Sequence, residues 1–243
     1  MALTITKMLV NKAKYKYKCP YEMEPEYITV HNTYNDASAM SEISYMIGNN
    51  NQVSYHYAVD DYRVVQGVST DRNTWNAGDG QGKGNRKSIS IEICYSKSGG
   101  KRFTDAEKNA AKLIAKLLKE RGWGIDRVKR HKDWSNKDCP HRTNKLGWAR
   151  FKNLVKKELD ALNKPKVSIT LKDVKDFKVK ITTSSLNIRR GPSTEYKKIG
   201  TVKKGEVYTI VKTNKAGTWG LLKKGPLEGS SFICIDKAYV KRV

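Results

Sequence analysis

Residues 130–141 read RHKDWSNKDCPH, and the reading of this stretch decides what kind of domain surrounds it. His131 and Cys139 offer an imidazole nitrogen and a thiol sulfur, the donor types that a zinc ion prefers. Two donors do not close a tetrahedral site. A third must come from elsewhere in the chain, and three protein ligands leave one position open to water, the layout of a catalytic rather than a structural zinc. Lys137 lies two residues before Cys139. If Cys139 is a ligand, the ammonium is carried close to the ion, where it can stabilise a developing oxyanion; otherwise it is one surface lysine among many. His141 follows Cys139 across Pro140, and both binding one ion would need a sharp local turn, so His141 is expected outside the ligand set.

Working outward, the preceding segments supply the frame. YITVH, residues 27–31, is β-branched and aromatic and reads as a buried strand ending on His31. Ser38 to Ile47 reads as a helix, with Ala39, Ile43, Met46 and Ile47 at helical spacing and Gly48 as its stop. VSYHYAV at 53–59 reads as a strand, and Asp60-Asp61 turns into YRVVQ, another strand. SISIEIC at 88–94 is a strong strand, with Ile89, Ile91 and Ile93 on one side and Ser90, Glu92 and Cys94 on the other. Thr104-Asp105-Ala106-Glu107 reads as a capping box opening a helix that Gly122 closes, and a last helix spans about Trp148 to Leu162. Strands mixed with helices predict an α/β domain over 1–162, a mixed central sheet flanked by helices. A Lys-rich linker over 163–180, which can pass into a first strand, begins Lys164-Pro165-Lys166. Short strand-like runs separated by turns then predict a small all-β barrel over 181–243.

Composition narrows the partners. The chain has 243 residues and a formal net charge of +24. Of its charged residues, 29 basic and 18 acidic precede Asn163, and 19 basic and 6 acidic lie beyond it. Such an excess implies an anionic partner, nucleic acid or a cell wall carrying phosphate polymers, unless it is simply a solvated basic surface, and charge alone does not separate the three. A nucleic-acid binder needs an aromatic-lined or helical reading surface, whereas these lysines are scattered over both halves. The four cysteines form no CxxC pair and read as mostly free thiols from a reducing compartment. No apolar run reads as a signal peptide or a membrane span. The expectation is therefore a protein made in a reducing cytoplasm and not inserted in a membrane; it is also expected to be monomeric.

His31, at a strand end, is the best-placed third ligand, with His56 and His141 as competitors. Glu92 sits mid-strand between two isoleucines, where an unpaired carboxylate is costly to bury. Facing solvent it would be ordinary. Beside a metal, its raised pKa would suit it to take a proton from the water at the open position.

YITVHNT, SYHYAVDD, TWNAGDG, SISIEI and RHKDWSNKDCPH occur in this order. The segment they span, about residues 25–160, resembles the zinc-dependent N-acetylmuramoyl-L-alanine amidases, which share their fold with peptidoglycan-recognition proteins and include many phage endolysins. The resemblance implies Zn2+ held by His31, His131 and Cys139, with Glu92 as the catalytic carboxylate and Lys137 as the cleft lysine. It also implies Tyr55 beside the zinc, as in some relatives, and Trp75, Asn76 and His56 along the substrate. Two positions depart from the pattern: Asn76 stands where many members have His, and His141 where Gly commonly follows Cys-Pro. Both are expected to alter the cleft wall more than the chemistry. LNIRRGPSTEYKKIGTVKKGE, residues 186–206, is similar to the bacterial SH3-like domains that target hydrolases to the wall.

The expected function is hydrolysis of the amide between N-acetylmuramic acid and the L-alanine of the stem peptide. The expected partners are peptidoglycan and its anionic wall polymers, with no nucleic acid. A phage endolysin for a Gram-positive host, released by a holin, fits the compact chain. A bacterial autolysin of the same chemistry, or a recognition protein that binds peptidoglycan without cutting it, is the alternative.

Overall fold

The computed structural model describes residues 4–163 and 170–243. The chain divides into two compact units, Met1–Lys164 and Pro165–Val243.

The first unit is built on a six-stranded sheet. Its strands are β1 (Ile5–Lys7), β2 (Tyr27–Asn32), β3 (Tyr57–Val59), β4 (Val64–Gln66), β5 (Ser88–Ile93) and β6 (Val128–Arg130), in the order β1-β4-β3-β5-β2-β6. β3, β5, β2 and β6 are mutually parallel, β4 runs antiparallel to β3, and β1 is parallel to β4. Its helices are α1 (Tyr15–Lys18), α2 (Ala39–Gly48), α3 (Lys83–Arg86), α4 (Gly100–Arg121), α5 (His141–Leu146) and α6 (Trp148–Asn163). All six residues of β5 are buried. Alternate residues point to opposite faces, so this strand is covered on both sides, as a parallel strand at a sheet centre must be.

The register of this sheet positions the site. β2 pairs with β5 so that His31 stands opposite Glu92. β2 pairs with β6 through Ile28↔Val128 and Val30↔Arg130, so the next position on each chain is a histidine, His31 and His131. Among the described residues, no helix is long and apolar enough to cross a membrane.

Several expectations need adjustment. Only Tyr57–Val59 of the segment 53–59 joins the sheet. Ser54 instead donates its hydroxyl to the Lys18 carbonyl at 2.5 Å, and Tyr55 donates its own to the Glu42 carbonyl at 2.9 Å. Burial runs unbroken from Ser54 to Val59 and so extends beyond the three residues that pair. Helix α4 begins at Gly100, four residues before the expected capping box, and Thr104 lies inside it with its hydroxyl on the Lys101 carbonyl. The paired glycines Gly99 and Gly100, at φ 75° and 67°, start the helix without a side-chain cap. Gly122, at φ 67°, closes it as expected.

The second unit is a seven-stranded, all-antiparallel sheet in the order β13-β7-β10-β11-β12-β8-β9. The strands are β7 (Leu171–Ile181), β8 (Ser185–Arg189), β9 (Lys198–Lys203), β10 (Val207–Asn214), β11 (Trp219–Leu222), β12 (Phe232–Cys234) and β13 (Val240–Arg242). Its core is Val179, Ile181, Ile188, Val202, Ile210, Leu222, Ile233 and Val240. The segment expected as a linker over 163–180 passes into a strand. Its opening Lys164-Pro165-Lys166 lies outside the described residues, and its second half is β7, paired to β10 along most of its length. Exposed lysines on β7 interrupt the alternation that Phe177, Val179 and Ile181 carry into the core.

Candidate active site

Parallel pairing brings His31 and His131 side by side, and a folded-back turn delivers Cys139. That turn is tied at several points. The Asp133 carboxylate accepts from the Arg130 backbone N–H at 2.8 Å. The Trp134 indole donates to the Thr29 hydroxyl on β2 at 2.8 Å. The Lys132 N–H donates to the Cys139 carbonyl at 2.9 Å. Beyond Pro140, the Asn32 side chain accepts from the backbone N–H groups of Arg142 and Thr143 at 3.0 and 3.2 Å. The residue after His31 thereby satisfies donors in the first turn of α5, which such a turn leaves unpaired.

The result is a convergence of three donors. The Nδ1 atoms of His31 and His131 are 3.1 Å apart, and Cys139 Sγ is 3.8 Å from His31 Nδ1. All three ligand atoms lie within 4.8 Å of one another, on buried residues. Around a tetrahedral zinc, bond lengths of about 2.0–2.1 Å to nitrogen and 2.3 Å to sulfur place neighbouring donors roughly 3.3–3.6 Å apart. The observed spacings bracket that range, and the donor set N, N, S is one that zinc accepts. The residues present therefore fit a zinc ion.

Electrostatics favour the same reading. Burial, with His131 and Lys137 nearby, holds the His31 imidazole well below its ordinary pKa. Burial and Lys137 lower His131 to about 4. Both rings are thus neutral near pH 7, the form that binds metal. Burial pushes the Cys139 thiol up to about 12, with Glu92 adding to it. A cation bound here would remove that proton.

Glu92 faces the cluster from β5, with Oε1 4.0 Å from His31 Nδ1. Burial pushes its carboxyl up to about 7, against a hydrogen bond from Asn76 that pulls it down, and Glu42 adds to the rise. Asn76 Nδ2 donates to Glu92 Oε1 at 3.2 Å and to the Ser90 hydroxyl at 2.6 Å. Glu92 Oε2 is buried without a hydrogen-bond partner, as is His31 Nε2. A carboxyl whose pKa is raised toward neutrality, with one oxygen free of hydrogen bonds, can accept and return a proton.

Two cavities adjoin the cluster. One, of about 590 Å³, is lined by Tyr34, Glu42, Tyr55, Glu92, Cys139 and His141 among others. The other, of about 650 Å³, includes Trp75, Asn76, His131 and Gln81. Lys137 and Val53 line both. The expected cleft lysine thus stands where the two spaces meet.

The remaining expected residues divide. Tyr55 lines the first cavity, its hydroxyl donating to the Glu42 carbonyl at 2.9 Å and lying 3.0 Å from Glu42 Oε2. Trp75 and Asn76 line the second cavity. His56 is a correction. It is wholly buried, its Nδ1 accepts from the Ser90 N–H, and its Nε2 meets the Arg72 carbonyl at 2.9 Å. Both ring nitrogens are taken, so it neither competes for the metal nor reaches a substrate. His141 stays outside the donor cluster as expected: it forms the cavity wall with its ring 4.6 Å from that of Tyr34. Glu42 was not singled out from the sequence. On α2 it looks like an ordinary carboxylate in a helix first turn, and only the fold turns it toward Tyr55.

Comparison with known proteins agrees with this geometry. A family model described as N-acetylmuramoyl-L-alanine amidase matches residues 21–142, and one described as bacterial SH3 domain matches 184–229. CwlA of Bacillus subtilis, an N-acetylmuramoyl-L-alanine amidase, is 48% identical over 93% of this chain and 83% of its own length. The chain belongs to the N-acetylmuramoyl-L-alanine amidase family. XlyB of Bacillus subtilis, another such amidase, is 53% identical over 74% of this chain, which spans 57% of its length. The solved structure of PlyL is 52% identical, with a TM-score of 0.62, and its match covers 63% of this chain and 97% of PlyL. This amidase is accordingly a peptidoglycan hydrolase that acts on the cell wall, and its chain carries an SH3-type domain after the catalytic unit in sequence.

Proposed function

We propose that this amidase cleaves the bond between the lactyl group of N-acetylmuramic acid and the L-alanine of the stem peptide by zinc-assisted attack of water. The observation that carries the mechanism is the meeting of His31, His131 and Cys139 at one point, with the Glu92 carboxylate 4.0 Å from the first of them. These three residues would hold the zinc, leaving a fourth position open. When bound, zinc lowers the pKa of water and polarises a carbonyl.

The chain's own groups supply the rest. Glu92 takes the proton of the attacking water and passes it to the departing alanine nitrogen. Asn76, hydrogen-bonded to Glu92 Oε1, holds that carboxylate with the same oxygen 4.0 Å from His31 Nδ1. Lys137, at the junction of the two cavities, stabilises negative charge developing on the lactyl oxygen. Tyr55, held by Glu42, and Trp75 border the path along which glycan and peptide leave the amide.

The second unit, within residues 181–243, would hold the enzyme on the wall. Its 13 basic residues against 4 acidic support anionic wall polymers as its ligand. A phage endolysin acting on a Gram-positive wall is the biological setting that the likeness to PlyL and to the Bacillus amidases supports.

The test is the product. Digestion of purified peptidoglycan should release new N-terminal alanine and no new reducing sugar ends. Reducing ends without free alanine would identify a glycosidase and reject the reading.

A further inference from the structure

Lys18 is a buried lysine that the mechanism leaves unused. Its side chain, at the end of α1, is wholly inaccessible. Burial lowers its pKa, and Lys14 nearby lowers it further. Its Nζ donates to Asn49 Oδ1 at 2.8 Å and to the Val53 carbonyl at 3.1 Å. Lys14 donates to the carbonyls of Ile47 and Gly48 at 3.0 and 2.6 Å, at the end of α2 where carbonyls lack intrahelical partners. The Lys18 carbonyl also accepts the Ser54 hydroxyl, and that oxygen in turn accepts the Trp75 N–H at 3.0 Å. Two ammonium groups and one carbonyl from a single short segment thus pin residues 47–54.

What they pin is a cleft element. Asn49, Asn51 and Val53 line the first cavity, and Gln52 and Val53 the second. Val53 is 57% exposed, an apolar side chain left in the opening beside Lys137. A buried cation is costly unless its bonds fix something, and its two bonds here end on the segment that carries this valine.

We infer that Val53 packs against the methyl groups of the lactyl and alanyl units that flank the scissile amide, and that Lys18 is a positioning residue acting through Val53. The inference rests on the amidase reading of the cleft. Those two methyls are the apolar groups nearest the bond to be cut, and Val53 shares the junction of the cavities with Lys137. A contact made alike in ground and transition states lowers KM and leaves kcat unchanged.

The experiment measures kcat and KM on a soluble muramoyl peptide for Val53→Ala, Lys18→Met and the double variant, each with zinc content and thermal midpoint recorded. Val53→Ala is expected to raise KM about tenfold, as loss of an apolar contact does, with kcat, zinc content and midpoint unchanged. Lys18→Met is expected to raise KM in the same direction. Adding it to Val53→Ala should raise KM no further, because both changes remove one contact. An unaltered KM in Val53→Ala overturns the inference, and so do KM effects that multiply in the double variant. Should Lys18→Met fail to fold, Val53→Ala decides the contact alone. Loss of kcat or of zinc in Val53→Ala would place the valine in the support of the metal site and also reject it.

Discussion

The Nδ1 atoms of His31 and His131 stand 3.1 Å apart, although the two residues are separated by 100 positions in the chain. Neither histidine owes this meeting to local sequence. It follows from the parallel ladder of β2 and β6, which ends one residue before each ring. With Cys139 Sγ 3.8 Å away, the pair forms a donor cluster that buries three polar groups around one small volume.

If the cluster holds zinc, single-ligand loss is decisive. His31→Ala and Cys139→Ser are each expected to lose bound zinc and to lower wall hydrolysis by more than about a hundredfold, beyond the effect usual for groups that merely orient a ligand. Metal analysis of the purified variants checks this. Full zinc content in both would reject the ligand set.

Glu92→Gln keeps shape and hydrogen-bonding capacity but cannot accept a proton. The expected outcome is a kcat lower by about 10²–10⁴, the range for general base catalysis, with zinc content unchanged. Activity at the unsubstituted rate in a folded, zinc-loaded variant would remove Glu92 from the mechanism.

Lys137→Met removes a charge at the junction of the cavities while retaining most of the side-chain length. Its kcat should fall by about 10²–10³, the scale for one oxyanion-stabilising donor. A change confined to KM would make the lysine a binding group only.

His56 gives the fold a pH dependence separate from the metal. Burial lowers its pKa from 6.5 to about 4, so the folded state binds its proton more weakly than the unfolded chain. The sign is fixed: this stabilisation is complete above pH 6.5 and is lost as pH falls through 4. Its full size is roughly 3 kcal/mol. In denaturant titrations, His56→Gln should flatten the decline in stability between pH 6.5 and 4. An identical slope in both proteins would refute the contribution.

Much of this was legible in the chain. Ile89, Ile91 and Ile93 alternate so strongly that β5 could be placed from sequence with Glu92 on the face opposite them, although burial of that face came only with the fold, and the donor chemistry of His131 and Cys139 needs no fold to recognise. Two things were hidden. Pairing across distant segments decides which buried histidine is a donor: His31 and His56 both follow β-rich runs, but the Ser90 N–H and the Arg72 carbonyl occupy both nitrogens of His56. Polar strands and side-chain ties were the other. β7 is interrupted by solvent-facing lysines that conceal its period, and Ser54 and Tyr55 resemble strand residues because they are buried with their hydroxyls on the Lys18 and Glu42 carbonyls, not because they belong to a strand. Glycine also outweighed a local cap, since positive φ at Gly99 and Gly100 starts α4 before Thr104 is reached.

The parallel register of β2 with β5 and β6 carries one more consequence. A slip of a single residue turns every side chain of a strand to the other face, so a mispaired β2 would point His31 away from both His131 and Glu92. The hydrolytic centre therefore exists only in chains whose sheet has closed correctly. For a hydrolase of the cell wall, this makes assembly itself a safeguard: a misregistered copy carries every reactive residue without the site that they form.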